Sequence, residues 1–194
     1  MMHHGLIKTL RSIVEECGVP KEAILEEARG LRLDDRTRPG DLVVLDFVEG
    51  GRHLVFDGVV TTVYRNSVLH KVAAIPGFAA KQVEDRKFKA DADSPQPVSV
   101  QHGGRHRFIP FAMEDGGRIG AHGHAALRML AEYAVAKGKT PPRSRSAAPP
   151  EPPEAVAMWV RRWQQKLSVW LHLTLSRQVL RYLAPSVAAG VSYS

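Results

Sequence analysis

One stretch, Arg38 to Thr62, does most to limit what this chain can become. It reads RPGDLVVLDFVEGGRHLVFDGVVTT, with two apolar runs, Leu42–Phe47 and His53–Val60, on either side of Glu49-Gly50-Gly51. Consecutive glycines take positive φ at little cost, so the flanking runs are expected to fold back on each other as a β-hairpin. Asp41 stands at the head of the first run, and Asp57 interrupts the second between Phe56 and Gly58. A bend at Gly50-Gly51 carries both acids toward one end of a sheet. Two carboxylates held close repel unless a proton or a cation lies between them, which makes the pair the seed of a divalent-metal site. The plainer alternative is that Asp41 only completes a turn after Pro39-Gly40 and Asp57 points into solvent.

Charge is divided unevenly around that hairpin. Residues 1–137 carry nineteen basic against eighteen acidic side chains, whereas residues 138–194 carry eight against two, so nearly all of the net +7 belongs to the C-terminal part. A basic tail attracts nucleic acid or an anionic surface. The one cysteine, Cys17, excludes a disulfide framework or a Cys-based zinc site and fits a reducing compartment. The N-terminal residues hold no apolar run of signal-peptide length. Arg and Gln break the C-terminal apolar stretch before it reaches membrane-spanning length. The expectation is an intracellular protein, nuclear in a eukaryote, without membrane contact.

The chain's 194 residues suit one domain with an appendage. Leu6, Ile7, Leu10, Ile13 and Val14 recur at helical spacing and Gly18 follows as a C-cap, which predicts a helix over 5–17. Residues 21–29 suit a short helix or a strand. Arg65-Asn66-Ser67 is a break. Residues 78–92 favour a helix with Phe78, Ala79, Val83 and Phe88 on one side, closed by Ser94-Pro95-Gln96-Pro97. His106–Met113 reads as a strand, placed at an edge or bulged by Pro110, and Ala125–Val135 as a further helix. Residues 1–137 thus form an α/β body, a mixed central sheet containing the hairpin and flanked by helices, with a right-handed crossover from the Asp57 strand to the 106–113 strand. Residues 138–153 are a proline-rich basic linker, and 154–185 a separate C-terminal amphipathic helix. On that helix Trp159, Trp163 and Trp170 fall within about 40° of one another. Leu167, Leu171 and Tyr182 widen the face, which is expected to dock on the body or on a partner.

Nucleases that work with two carboxylates and a lysine use the acids to hold Mg²⁺ against the scissile phosphate and the lysine to orient water or offset charge. The lysine usually follows the second acid by two residues. Val59 holds that slot here, leaving Lys87, or else Lys71 or Lys81, to reach in from the next helix. The segments Arg38-Pro39-Gly40-Asp41 and Val55-Phe56-Asp57-Gly58, with Ala79–Lys89 and Arg107–Gly117 after them, resemble restriction-endonuclease-like domains of the PD-(D/E)XK type. More narrowly, they resemble those at the C-terminal end of non-LTR retrotransposon reverse transcriptases. The resemblance implies an α/β fold and Mg²⁺-dependent DNA cleavage by a retroelement endonuclease domain, active or degenerate. It implies Asp41 and Asp57 as metal ligands and catalytic acids, with Lys87 the candidate for the catalytic lysine by its reach from the next helix. Glu15, Glu16 or Glu26 would serve as an auxiliary acid.

Two other readings stand beside it. One is a non-catalytic module holding DNA, or alternatively RNA, through Lys81, Arg86, Lys87, Lys89 and the basic linker. The other is a partner-binding protein acting through its C-terminal helix. His3-His4 and His122/His124 read as surface or capping residues, the latter pair diverging by about 200° on a helix. Gly116-Gly117-Arg118-Ile119-Gly120 reads as a loop, with an anion-binding turn as the alternative.

Overall fold

Residues 2–28, 40–48, 51–64, 69–94, 96–98, 104–142 and 150–188 are described by the computed structural model. Arg38-Pro39, Glu49-Gly50, the break at 65–67, Pro95, linker residues 143–149 and the end beyond 188 lie outside them. The chain begins with α1 (Met2–Glu16). Its apolar residues at helical spacing, Leu6, Ile7, Leu10, Ile13 and Val14, are all buried, and Gly18 leaves the helix with φ +91°. The undecided segment 21–29 divides into a 3₁₀ turn over Lys21–Ala23 and a three-residue strand β1 (Ile24–Glu26).

The hairpin is present as β2 (Leu42–Val48) and β3 (Arg52–Thr61). Gly51 takes φ +69°, and Asp46 bulges β2 with φ +49°, a conformation that Asp tolerates better than most residues. The Asp46 N–H donates to Nδ1 of His53 at 2.9 Å. After β3 come α2 (Leu69–Ala74) and α3 (Phe78–Ala92), then β4 (His106–Glu114). The sheet order is β1-β2-β3-β4, antiparallel except for the parallel β3–β4 pair. A parallel pair needs a crossover, and α3 lies on that connection. Pro110 does sit in an edge strand. Ala112, two residues on, turns both its N–H and its carbonyl away from β3, to Glu84 and Gly120. Pro110 therefore faces the open edge as well and removes no donor from the β3–β4 ladder.

Two helical layers cover the sheet. On one face Leu42, Val44, Leu54, Phe56, Ile109, Phe111 and Met113 pack into the main core with α1, α4 (Ala121–Ala136) and α5 (Pro152–Ala188). On the other, Val59 and Ala112 meet Ala80 and Val83 of α3. Phe88 departs from the expected buried side of α3. It is half exposed and stacks on His122 at 5.7 Å, while the buried face is Ala79, Ala80, Val83, Glu84 and Asp91.

The C-terminal helix starts inside the supposed linker. Pro152 and Pro153 sit in its first turn, where no intrahelical N–H bond is required. Trp159, Trp163, Leu167 and Leu171 are buried in the main core, so this helix completes the body. Tyr182 is the exception among the residues assigned to that face, being 84 % exposed. Thirty-seven residues span about 55 Å at 1.5 Å each, and burial on α5 ends before Ser176. Among the described residues no helix is long and apolar enough to cross a membrane.

Candidate active site

The register of the hairpin decides where the two acids lie. Leu42 pairs with Phe56, Val43 with Val55 and Val44 with Leu54. Asp41 stands just before β2, its N–H donating to the Phe56 carbonyl at 2.8 Å, which leaves it beside Asp57. Asp57 shares the parity of Val55 and leaves the sheet on the α3 side, while Asp41, at the strand entry, sits at the rim. Directly opposed Cβ atoms in antiparallel strands lie about 4.5–5.5 Å apart, and like charges placed so are destabilising.

Three groups answer that repulsion. The Lys87 ammonium, on the inner face of α3, lies 2.6 Å from each oxygen of Asp57. The Gly58 N–H donates to Oδ2 of Asp41 at 2.7 Å. Nε2 of His3, from the first turn of α1, lies 3.1 Å from Oδ1 of Asp41. Gly58 has a second use, because a Cβ there would meet Ile7 Cδ1 at 2.7 Å. Bare backbone lets α1 close on β3 and brings His3 over the rim. Burial pushes the Asp41 carboxyl up from 3.8 to about 6. The Asp57 charge adds to the rise, while the Gly58 N–H, His3 and Lys87 oppose it. A carboxylate held up in this way gains from any cation placed beside it.

No protein-family model, curated protein or solved structure matches the chain. What the site can do rests on its own geometry. Of the lysines considered, only Lys87 reaches the acids. Lys81 pairs with Asp85 one turn along, and Lys71 lies over the ring of Phe78 at 5.6 Å. Lys81, Arg86 and Lys89 are exposed on the side of α3 turned away from the sheet, available to a surface ligand.

The auxiliary acids do not join the pair. Glu15 and Glu26 both bind Arg11, at 3.1 and 3.0 Å. Glu16 is held by Lys166 and accepts the Trp163 indole N–H at 2.9 Å. Glu15 and Glu16 lie about 18–20 Å along the helix axis from His3, at the wrong end of α1. Among the described residues no group of three or more His, Cys, Asp and Glu side chains is placed to hold a metal ion. A cation bound at this rim would have Asp41 and Asp57 as its protein ligands. That suits Mg²⁺, which commonly takes one or two carboxylates and completes its shell with waters and substrate phosphate.

Two buried acids escaped the sequence reading. Glu84, fully buried on α3, accepts the N–H groups of His122 (2.9 Å), Gly123 (3.0 Å) and Ala112 (3.3 Å). A Cβ on Gly120 would collide with its carboxylate. Glu114, at the end of β4, accepts the N–H groups of Ala79 and Ala80 at 3.0 and 3.2 Å. Each caps a helix from another element, with negative charge at the positive end of the helix dipole. The anion sought for the Gly116–Gly120 turn is thus the chain's own Glu84. His122 and His124 diverge as expected, to Phe88 and to Gln164.

Proposed function

We propose that the chain is a Mg²⁺-dependent phosphodiester hydrolase acting on DNA, of the restriction-endonuclease-like kind found with non-LTR retrotransposons. One observation carries the reading: Lys87 contacts both oxygens of Asp57, and Asp41 bonds the backbone on either side of Asp57, the Phe56 carbonyl and the Gly58 N–H. The lysine missing from the strand at Val59 is replaced in space from the crossover helix. Asp41 and Asp57 would hold the metal, which when bound supplies positive charge against the scissile phosphate. Lys87, freed from sole custody of Asp57, is placed to hold a water or to offset charge on the phosphate oxygens. The Gly58 N–H and His3 keep Asp41 aimed at the rim.

The test is cleavage of supercoiled plasmid in Mg²⁺ by wild type, Asp57→Ala and Lys87→Met. Nicking that needs Mg²⁺, stops with EDTA and is lost in both variants supports the reading. Equal nicking by all three assigns it to a contaminant and refutes the site. A second reading, a module that binds nucleic acid without cutting it, is favoured by the exposed row Lys81, Arg86 and Lys89. It predicts salt-sensitive binding that Asp57→Ala leaves intact, with no nicking by any form.

A further inference from the structure

A groove of about 430 Å³ lies away from the carboxylate pair, between the 116–120 turn, the start of α3 and the flank of α5. Arg118, Arg161, His124, Gln164, Gln165 and Ser168 line it, and no Asp or Glu does. The neighbouring Arg162 is tied to Glu16 at 3.7 Å. By contrast, among the described residues neither Arg118 nor Arg161 has a carboxylate partner. Gln164 is held against Nδ1 of His124 at 3.0 Å, which fixes one wall. Gly117, with φ +87°, brings the turn close to Ser168, so that Arg118 from the loop and Arg161 from α5 line the same groove. The groove continues along α4 and α5, where Arg161, His124 and Gln164 also line a second cavity of about 510 Å³.

Guanidinium groups are planar forks that match phosphate oxygens, and unpaired ones are ready to do so. A groove of this volume is of ligand-binding size. It carries two unopposed arginines, two amides and a hydroxyl, one wall of it on the helix from the part of the chain that holds most of the net positive charge. We propose that this groove binds a phosphate group, separately from any metal-dependent chemistry at Asp41 and Asp57. The phosphate belongs either to a nucleic-acid backbone or to a small phosphate ester, and the same donors serve both.

The experiment uses the full chain in EDTA, so that cleavage plays no part. A fluorescent 20-nucleotide DNA, single-stranded and as duplex, is titrated by anisotropy at several salt concentrations against wild type and Arg118→Ala/Arg161→Ala. Adenosine monophosphate and inorganic phosphate are titrated in parallel by thermal shift. Lys21→Ala/Arg52→Ala, exposed and outside both the groove and the α3 row, is the control for diffuse charge. Both arginines are exposed, so the double variant is expected to fold, which circular dichroism checks.

A backbone ligand predicts at least tenfold weaker DNA binding in the arginine variant than in the lysine-arginine control. The log–log salt slope should be shallower by about two. A small-ester ligand predicts stabilisation of wild type by adenosine monophosphate or phosphate that the arginine variant loses, with DNA binding equal in the two variants. Equal DNA binding and no lost stabilisation overturns the proposal. Failure of plasmid nicking in Mg²⁺ bears only on the carboxylate site.

Discussion

Replacing Asp41 by asparagine removes a charge that folding makes expensive, and the size of the effect is set by the rim. The carboxyl titrates near 6 in the fold against 3.8 without it. The folded state therefore holds the proton more tightly than the unfolded state. Protonated Asp41 contributes stability in full below pH 3.8, and that contribution is lost as pH rises through 6. A shift of about two units at about 1.4 kcal/mol per unit gives about 3 kcal/mol across the window. About 2 kcal/mol of it falls between about pH 4.5 and pH 8. Asparagine keeps an oxygen for the Gly58 N–H and does not itself titrate, so the difference in pH dependence between the two proteins reads the Asp41 carboxyl together with its contact to His3. Urea denaturation of both proteins should show the asparagine variant gaining about 2 kcal/mol on wild type from the lower pH to the higher. Millimolar Mg²⁺ at the higher pH should close much of that gap by stabilising wild type alone. A gap that does not change with pH would mean that Asp41 ionises as freely in the fold as out of it. The argument from burial and opposed charge would then fail.

Lys87→Met should leave the fold intact, cost about 1 kcal/mol for a partly exposed pair, and abolish any Mg²⁺-dependent nicking. In a double-mutant cycle with Asp57→Asn, the second substitution should cost less than it does alone. Glu84→Ala strands three buried or half-buried N–H groups at about 1 kcal/mol or more each and should lower stability by at least about 3 kcal/mol, measured by urea melts. Trp163→Ala, at a fully buried site, should cost about 3–5 kcal/mol. A chain ending at residue 175 should instead melt within about 0.5 kcal/mol of the full chain, because the described side chains it removes, 176–182, are exposed. Cys17 is fully buried and burial pushes its thiol pKa upward, so it should react with a thiol reagent only as fast as the protein unfolds.

The hairpin and its opposed acids were legible in the sequence because pairing across a turn follows fixed arithmetic. Once Gly50-Gly51 is the bend, Asp41 and Asp57 are set near the same level. Lys87 was legible as a candidate because a crossover helix must lie over the strand it follows. The tryptophan face of α5 was legible because three rings at helical spacing need a surface to cover. His3 was not, since nothing local says that the first turn of α1 ends above residue 41. That placement depends on Gly58 admitting Ile7. Nor were the roles of Glu84 and Glu114, because a cap borrowed from another element leaves no mark at fixed sequence distance. Glu16 looked like a spare acid until α5 arrived with Lys166 and Trp163, a contact made across 150 residues.

That late contact bears on how the chain is made. Trp170 packs on Gly5, and Trp163 and Leu167 fill the floor between α1 and α4, so the first helix waits for the last to leave the ribosome. Until then a nascent chain shows the greasy undersides of both helices to every chaperone and protease nearby. A premature stop in the proline-rich segment would leave that surface exposed for good, and such a product is expected to be degraded or to aggregate.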